Sequence, residues 1–333
     1  MRKRFDALIA GYYGFNNFGD ELLAQASIDL LEKSGIERAH VAILSAAPKE
    51  SEIKFGAAAF DRWKLSSVVK AMSASKMLIL GGGGLFQDTT SVRSCVYYFA
   101  LIKIAKILGL KIFAASQSVG PLNGKTARFM TRSAFALCSA VTVRDEESLR
   151  LLKELKINAE LSQDLAFDFA SDLQRADNNK IYLNFNARPH YEELAASAAA
   201  AAMLYANEND LKVRGIAFSD EDEREMLRLQ NKVGIKFDAV YTVKTLADFA
   251  KVTEYSAASF GMRLHFTELS YMSGIPVCGC VYDPKVSGFC QRYGISVFEP
   301  SSPLKFSAAD VASLESEELK TKFCDVVSFL RKI

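Results

Sequence analysis

A surplus of one charge is the first thing this 333-residue sequence lacks: 41 Lys and Arg stand against 39 Asp and Glu, a net charge of +2. A nucleic-acid backbone calls for a clustered basic surplus, so no nucleic acid is expected as partner. Long apolar runs are missing too, and none approaches the roughly 20 residues of a membrane-spanning helix. Met1-Arg-Lys-Arg4 carries the charge of a signal-peptide start, but the apolar run from Ala7 to Ala10 is too short and leads into Gly11, Asn16, Asn17 and Asp20. The expected location is therefore the cytoplasm. Histidine is scarce; His40, His190 and His265 include no pair with metal-ligand spacing, so no metal site is expected on them. The six cysteines lie mostly in apolar stretches of a chain that needs no staples, and read as reduced core residues. Repeats at a solenoid period are absent.

What is present is an alternation of short apolar runs with amphipathic stretches, in a chain that is 50% hydrophobic and 24% charged. That alternation signifies βα units around mostly parallel sheets, an α/β protein. Expected strands are Phe5 to Ala10, Val41 to Leu44, Met77 to Leu80, Lys111 to Ala115 and Ala140 to Val143, then Ile181 to Phe185, Leu211 to Ile216, Ser256 to Phe260 and Pro276 to Val281. The polar stretch Arg175 to Lys180 separates the two series. Two doubly wound, Rossmann-like domains, 1–172 and 173–307, with a cleft facing the carboxyl ends of both sheets, are the economical architecture. The segment 308–333 places Val311, Leu314, Leu319, Phe323, Val326, Val327 and Leu330 at helical spacing, as one or two helices packing across.

Chemistry-bearing residues gather at the strand ends. Gly11-Tyr-Tyr13-Gly14-Phe-Asn-Asn17-Phe-Gly19-Asp20-Glu21 follows the first strand and opens a helix, where free N–H groups favour an anion or a sugar hydroxyl. Its spacing is not the dinucleotide fingerprint, and a tight turn with Asp20 as cap explains the glycines equally well. Gly81-Gly-Gly83-Gly84-Leu-Phe-Gln87-Asp88 follows another strand. Four glycines there imply close approach by a ligand or a crossing backbone, and without a following Lys-Ser/Thr they form no Walker loop. Gln87, Asp88, Thr89, Thr90 and Ser91 add hydrogen-bonding groups, though Thr89 to Ser91 also suit a helix cap. Arg144 ends a strand before Asp145 to Glu147, which suit a helix start, whereas Arg144 suits a carboxylate or phosphate. Gly261-Met-Arg263-Leu-His265 places an imidazole beside an arginine at a helix start, a position for proton transfer or phosphate binding, although a lone His is more often structural. Asp283-Pro284 starts a helix and puts Lys285 in its first turn, where a cation is disfavoured unless an anion is bound. Cys278 and Cys280 alternate faces of one strand and read as core.

Together these segments resemble the polysaccharide pyruvyl transferase family, most closely its cell-surface-anchoring branch, over nearly the whole chain. Two departures stand out: Ser116 occupies the first position of the usual Gly-Gln-Ser/Gly-x-Gly-Pro, and Asp164-Leu165-Ala166-Phe167 replaces Asp-Pro-Ala-Phe. Both are expected to be tolerated by the backbone. The resemblance implies the two-domain fold of B-type glycosyltransferases, and transfer of the carboxyvinyl skeleton of phosphoenolpyruvate to a sugar as a cyclic ketal. The acceptor so implied is an N-acetylmannosamine-type residue, modified at its 4- and 6-hydroxyls, on a lipid-linked or soluble cell-wall glycan precursor. A lipid-linked acceptor would bring peripheral contact with the inner membrane face. Arg144, His265 and Lys285 would carry the donor site, with Arg263 beside them, His265 moving a proton and the other two clamping anions. Tyr13, Asn17, Asp20, Glu21, Gly83, Gly84, Gln87 and Asp88 would face the acceptor, the base being Asp20, Glu21 or Asp88. Phosphoenolpyruvate is a co-substrate in this scheme, which requires no metal or organic cofactor. A nucleotide-sugar glycosyltransferase shares the architecture, and Glu268 keeps that reading open; a non-catalytic sugar-binding protein is the third.

Overall fold

The computed structural model describes residues 3–89, 91–173, 180–300, 302–308 and 316–332. The chain forms two compact units, Met1–Asp168 with Glu315–Ile333, and Phe169–Leu314. The first unit runs β1 (Phe5–Ala10), α1 (Phe18–Lys33), β2 (Val41–Ser45), α2 (Pro48–Phe55), β3 (Ala58–Asp61), α3 (Leu65–Ser73), β4 (Ser75–Phe86), α4 (Arg93–Ile107), β5 (Lys111–Val119), α5 (Lys125–Phe135), β6 (Ala140–Val143), α6 (Glu146–Glu154) and β7 (Glu160–Leu161). Its strands pair in parallel in the order β3-β2-β1-β4-β5-β6-β7. A parallel sheet covered on both faces needs apolar residues at successive positions, and Ala7 to Ala10, Val41 to Leu44 and Met77 to Leu80 are all buried.

The second unit runs β8 (Tyr182–Asn186), α7 (Glu192–Glu208), β9 (Lys212–Ala217), α8 (Asp220–Val233), β10 (Phe237–Thr242), α9 (Leu246–Val252), β11 (Ser256–Gly261), α10 (Leu264–Met272), β12 (Val277–Gly279), α11 (Pro284–Arg292) and β13 (Ser296–Val297). Its sheet is also parallel, in the order β10-β9-β8-β11-β12-β13. The alanine-rich α7 buries Ala195, Ala198, Ala199, Ala202 and Ala206 in this unit's core, small side chains that let helix and sheet approach closely. The chain then contributes α12 (Ser316–Lys332) to the first unit, where Phe323 lies 5.4 Å from the Phe113 ring and Arg331 donates to the Ser34 carbonyl. Leu319, Phe323, Val327 and Leu330 are its buried stripe; Val311 and Leu314 lie outside the described residues, as do 174–179 of the polar stretch and Thr90.

Two local expectations change. The strand expected to stop at Leu80 continues through the four glycines to Phe86, pairing Gly81 with Ala115 and Gly83 with Gln117 before its register shifts. The approach to Gly81 is made by the protein itself: a Cβ there would sit 2.4 Å from the Tyr13 hydroxyl and 2.6 Å from Ser27 Oγ. Ser116 adopts φ +47°, a left-handed conformation in which glycine escapes a steric penalty, so serine here is strained rather than neutral.

In an open parallel sheet, ligands collect beyond the carboxyl ends of the strands where the order reverses. Those places are β1/β4 in the first unit and β8/β11 in the second; the Gly11 to Asn17 loop follows β1, Gly81 to Gly84 lie near the end of β4, and Arg263 with His265 follows β11, whereas Arg144 follows β6 and Lys285 follows β12. By contrast, a recess of about 710 Å³ in the first unit is bordered by Ala140, Lys156, Glu160 and Lys322, at the amino ends of β6 and β7.

Candidate functional site

In the first unit, the loop after β1 is fastened to β4 and to its own helix. The buried Tyr13 hydroxyl donates to the Gly81 carbonyl at 2.5 Å, and burial pushes its pKa far above the ordinary phenol range. Asn17 caps α1, accepting from Gly19 N at 3.2 Å. The buried Glu21 accepts from Gly14 N at 2.7 Å and lies 3.6 Å from Lys54 Nζ. Asp20, in the first turn of α1, is only half-buried, and a Cβ on Gly83 would lie 3.8 Å from its Oδ1. Gly84 is exposed, with nothing closer to such a Cβ than the Ser118 carbonyl at 4.0 Å. Gln87 accepts from Thr89 N at 2.8 Å, and Asp88 accepts from Asn123 N at 2.8 Å and Gly124 N at 2.6 Å. Asp88 therefore organises the turn that starts α5, while Asp20 sits beside Gly83.

Arg144 directly follows β6 and is buried against Asp164, whose other oxygen accepts from Ala166 N at 2.8 Å. This partner was not read from the sequence, being 20 residues away with β7 between. Asp145 caps α6 as its spacing implies, accepting from Ser148 N at 2.7 Å, and also takes the Ser118 hydroxyl at 2.8 Å.

In the second unit, Arg263 caps α10 and turns its guanidinium onto the fully buried Asp222 of α8, with Nε at 3.0 and 3.1 Å and Nη2 at 2.5 Å from the carboxylate oxygens. Asp222 also accepts from Phe218 N at 3.1 Å, and Asn186 at the end of β8 accepts from Arg263 N at 3.0 Å. These bonds fix the start of α10, and with it His265, the second residue of that helix. The His265 Nε2 lies 3.9 Å from the buried Glu268 carboxylate one turn on. A first helical turn that carries an imidazole is suited to an anion.

Asp283 caps α11, with Pro284 first in the helix and Lys285 next; Lys285 Nζ lies 3.5 Å from the Asp283 carboxylate. The Tyr282 ring gathers two cations: Lys285 Nζ is 5.8 Å from its centroid and the Arg188 guanidinium carbon 4.5 Å, Arg188 also donating to the Tyr282 hydroxyl at 2.7 Å. Arg188 follows β8, the strand beside β11, and its local sequence, Arg188-Pro189-His190, carries no signal of this role. Structure thus brings Lys285 and Arg188 together around one ring, and ties Arg263 into the scaffold beneath His265. His40 and His190 are exposed.

A family model described as polysaccharide pyruvyl transferase matches residues 17–284. No curated protein matches the chain. The fold is similar to that of the UDP-GlcNAc 2-epimerase from Methanocaldococcus jannaschii, with TM-score 0.65 at 8% identity over 97% of this chain and 99% of that one. It is also similar to the UDP-GlcNAc 2-epimerase of Neisseria meningitidis bound to UDP-GlcNAc, with TM-score 0.57 at 11% identity, covering 98% and 92%. A glycosyltransferase from Rickettsia africae gives 0.58 at 9%, covering 98% and 96%. At such identities the likeness establishes the fold alone, the Rossmann-type fold of B-type glycosyltransferases.

Proposed function

The chain belongs to the polysaccharide pyruvyl transferase family, and from that premise we propose that it converts phosphoenolpyruvate and two hydroxyls of one sugar into a cyclic pyruvyl ketal and phosphate. The match carries this reading, because the span 17–284 contains Asp20, Arg144 and His265 in the segments whose chemistry suits the reaction. In the reaction the methylene carbon takes a proton and becomes methyl, the adjacent carbon bonds to the first sugar oxygen, and its bond to the phosphate oxygen breaks. The second sugar oxygen then closes the ring. Of the two protons shed by the hydroxyls, one equals that gained by the methylene and the other leaves with phosphate.

The roles follow from each group's chemistry. His265 moves a proton between the reacting atoms and the departing phosphate, and Lys285 and Arg144 neutralise donor charge. Arg188 adds a further cation beside Lys285. Asp20, half-buried in the first turn of α1 and beside Gly83, is the base we assign to the acceptor hydroxyl. Arg263 acts through His265 rather than on the donor. We place the acceptor among N-acetylmannosamine-type residues of a cell-wall glycan precursor, as the surface-anchoring branch uses. Among the described residues no helix is long and apolar enough to cross a membrane; the peripheral contact we propose rests on a lipid-linked acceptor alone.

The test is phosphate release from phosphoenolpyruvate with and without a panel of N-acetylhexosaminyl glycolipids. Acceptor-dependent release is expected, abolished by His265→Ala and Arg144→Ala in variants that keep the wild-type circular dichroism. Asp20→Asn is expected to lower kcat by about 10²–10⁴-fold, the usual contribution of a general base, with little change in KM for phosphoenolpyruvate. Release unchanged in the His265 variant, or turnover of a nucleotide sugar in place of phosphoenolpyruvate, would overturn the reading.

A further inference from the structure

Arg62, the residue after β3, is almost fully buried, yet its closest surroundings are aromatic rings rather than carboxylates. Its guanidinium donates to the Gly11 carbonyl at 2.6 Å and to the Tyr98 hydroxyl at 3.3 Å. Its central carbon lies 4.6 Å from the Tyr97 ring centroid, 5.1 Å from Trp63, 5.2 Å from Phe15, 5.8 Å from Tyr98 and 6.0 Å from Tyr12. The rings also hold one another. Tyr12 and Phe15 stack at 4.0 Å with 10° between planes, Trp63 meets Phe15 edge-on at 6.2 Å, and Tyr97 lies 5.8 Å from Trp63. The Asp61 carboxylate pins Trp63 N at 2.9 Å.

Despite this anchoring, Tyr12 is 46% exposed and Trp63 63% exposed. Rings fixed from below by a buried cation and left wet above are poor core and good binding surface. They stand on the loops after β1 and β3, at the carboxyl edge of the first sheet, and the Tyr12 loop leads directly into α1 and Asp20. Near them in sequence Asn16 and Lys64 are exposed and polar and Leu65 is exposed and apolar, so hydrogen-bonding groups and apolar faces adjoin there. A pyranose combines the same two, apolar C–H faces ringed by hydroxyls.

We infer that Tyr12 and Trp63 form a stacking subsite for pyranose units of a glycan chain, next to the unit that reacts at Asp20, with Arg62 as the positioning residue beneath. The link to turnover rests on the pyruvyl-transfer reading; binding itself does not. Trp63 is the single tryptophan of the sequence, so its fluorescence reports on the platform without donor or chemistry.

The experiment titrates the intact protein with N-acetylhexosamine oligosaccharides of increasing length, following Trp63 emission. A saturable change that tightens with length and is lost in Tyr12→Ala is expected. In the phosphate-release assay, Trp63→Ala should raise KM for long acceptors about tenfold, the equivalent of one aromatic contact, and leave KM for phosphoenolpyruvate and turnover of a single-sugar acceptor unchanged. Trp63→Phe, which keeps a ring, should recover most of the affinity and controls for folding. Emission unmoved by every oligosaccharide overturns the platform even if phosphate release proceeds. An emission response without any phosphate release keeps the platform and removes the transferase reading.

Discussion

Replacing Asp222 by Asn tests the claim that Arg263 is scaffold, because it removes a charge while preserving volume. The Asp222 carboxylate is wholly buried and accepts three contacts from Arg263 and one from Phe218 N. The Arg263 side chain is 15% exposed, so asparagine would leave a guanidinium largely out of water, facing an amide N–H₂ where a carboxylate oxygen had been. Breaking such a pair costs about 3–5 kcal/mol. Residual exposure of Arg263 favours the lower value, and at roughly 2–4 °C per kcal/mol for a unit of this size the melting temperature should fall by about 6–12 °C. Removing both partners, as Asp222→Leu with Arg263→Met, removes both desolvation penalties and should restore most of the loss. Urea and thermal unfolding followed by circular dichroism measure all three variants. A melting temperature for Asp222→Asn within about 2 °C of wild type, less than 1 kcal/mol by the same scaling, would refute the reasoning; so would a double variant as unstable as the sum of the singles. Phosphoenolpyruvate KM in the double variant separates the roles. A scaffold changes it a few-fold, whereas direct grip on the donor would raise it far more.

Two further outcomes follow from burial and backbone strain. Burial pushes the thiols of Cys138, Cys278, Cys280 and Cys290 up to about 12, against an ordinary value near 9. At pH 8 each should be roughly one part in 10⁴ thiolate instead of about one in ten, so a disulfide reagent should titrate these four only as the protein unfolds. Since their folded values are raised, the stability they contribute is full below about pH 9 and is lost as pH climbs toward 12, by at most about 1.4 kcal/mol per thiol per pH unit. An unfolding midpoint that stays level above pH 9 would contradict this. Separately, Ser116→Gly relieves a left-handed serine whose penalty is roughly 1–2 kcal/mol, and after the extra chain entropy of glycine should raise stability by up to about 1 kcal/mol; a lower melting temperature would count against the strain.

Much of the fold was legible because buried parallel strands announce themselves as apolar runs. β1 and β6 begin and end where their sequences change character, at Phe5–Ala10 and Ala140–Val143. The elements that escaped lie at sheet edges. β7 and β13 have two residues each, too few to show a period, and β3 is an Ala-Ala-Phe-Asp segment whose composition favours a helix and whose residues are only partly buried. β10 alternates weakly because its outer side has no neighbouring strand. Gly81 to Gly84 fail differently: glycine has low strand propensity, and pairing with β5, over thirty residues on, carries β4 through them although Gly82 and Gly83 turn to φ +66° and +85°.

The site divides along the same physical line. Asp145 before α6 and Asp283-Pro284 before α11 act within a few residues of themselves, so their spacing suffices to place Lys285 in a first turn and Arg144 at a strand end, whereas the cap of α1 expected at Asp20 is Asn17, with Asp20 already inside the helix. Partners from distant segments were not legible. Arg144 meets Asp164, Arg263 meets Asp222 across 41 residues, and Arg62 meets Tyr98 across 36. Nothing in the local sequence of an arginine says whether a carboxylate, an aromatic ring or a ligand will satisfy it, since that depends on which strand ends the sheet order makes neighbours. Here the order decides in three ways. A carboxylate anchors Arg263 at the start of α10, five rings surround Arg62 and leave two of their number facing water, and Arg188 joins Lys285 over Tyr282 because β8 and β12 both flank β11. Residues of one type therefore acquire separate tasks from the topology, and these assignments are the part of the site that the variants above put to test.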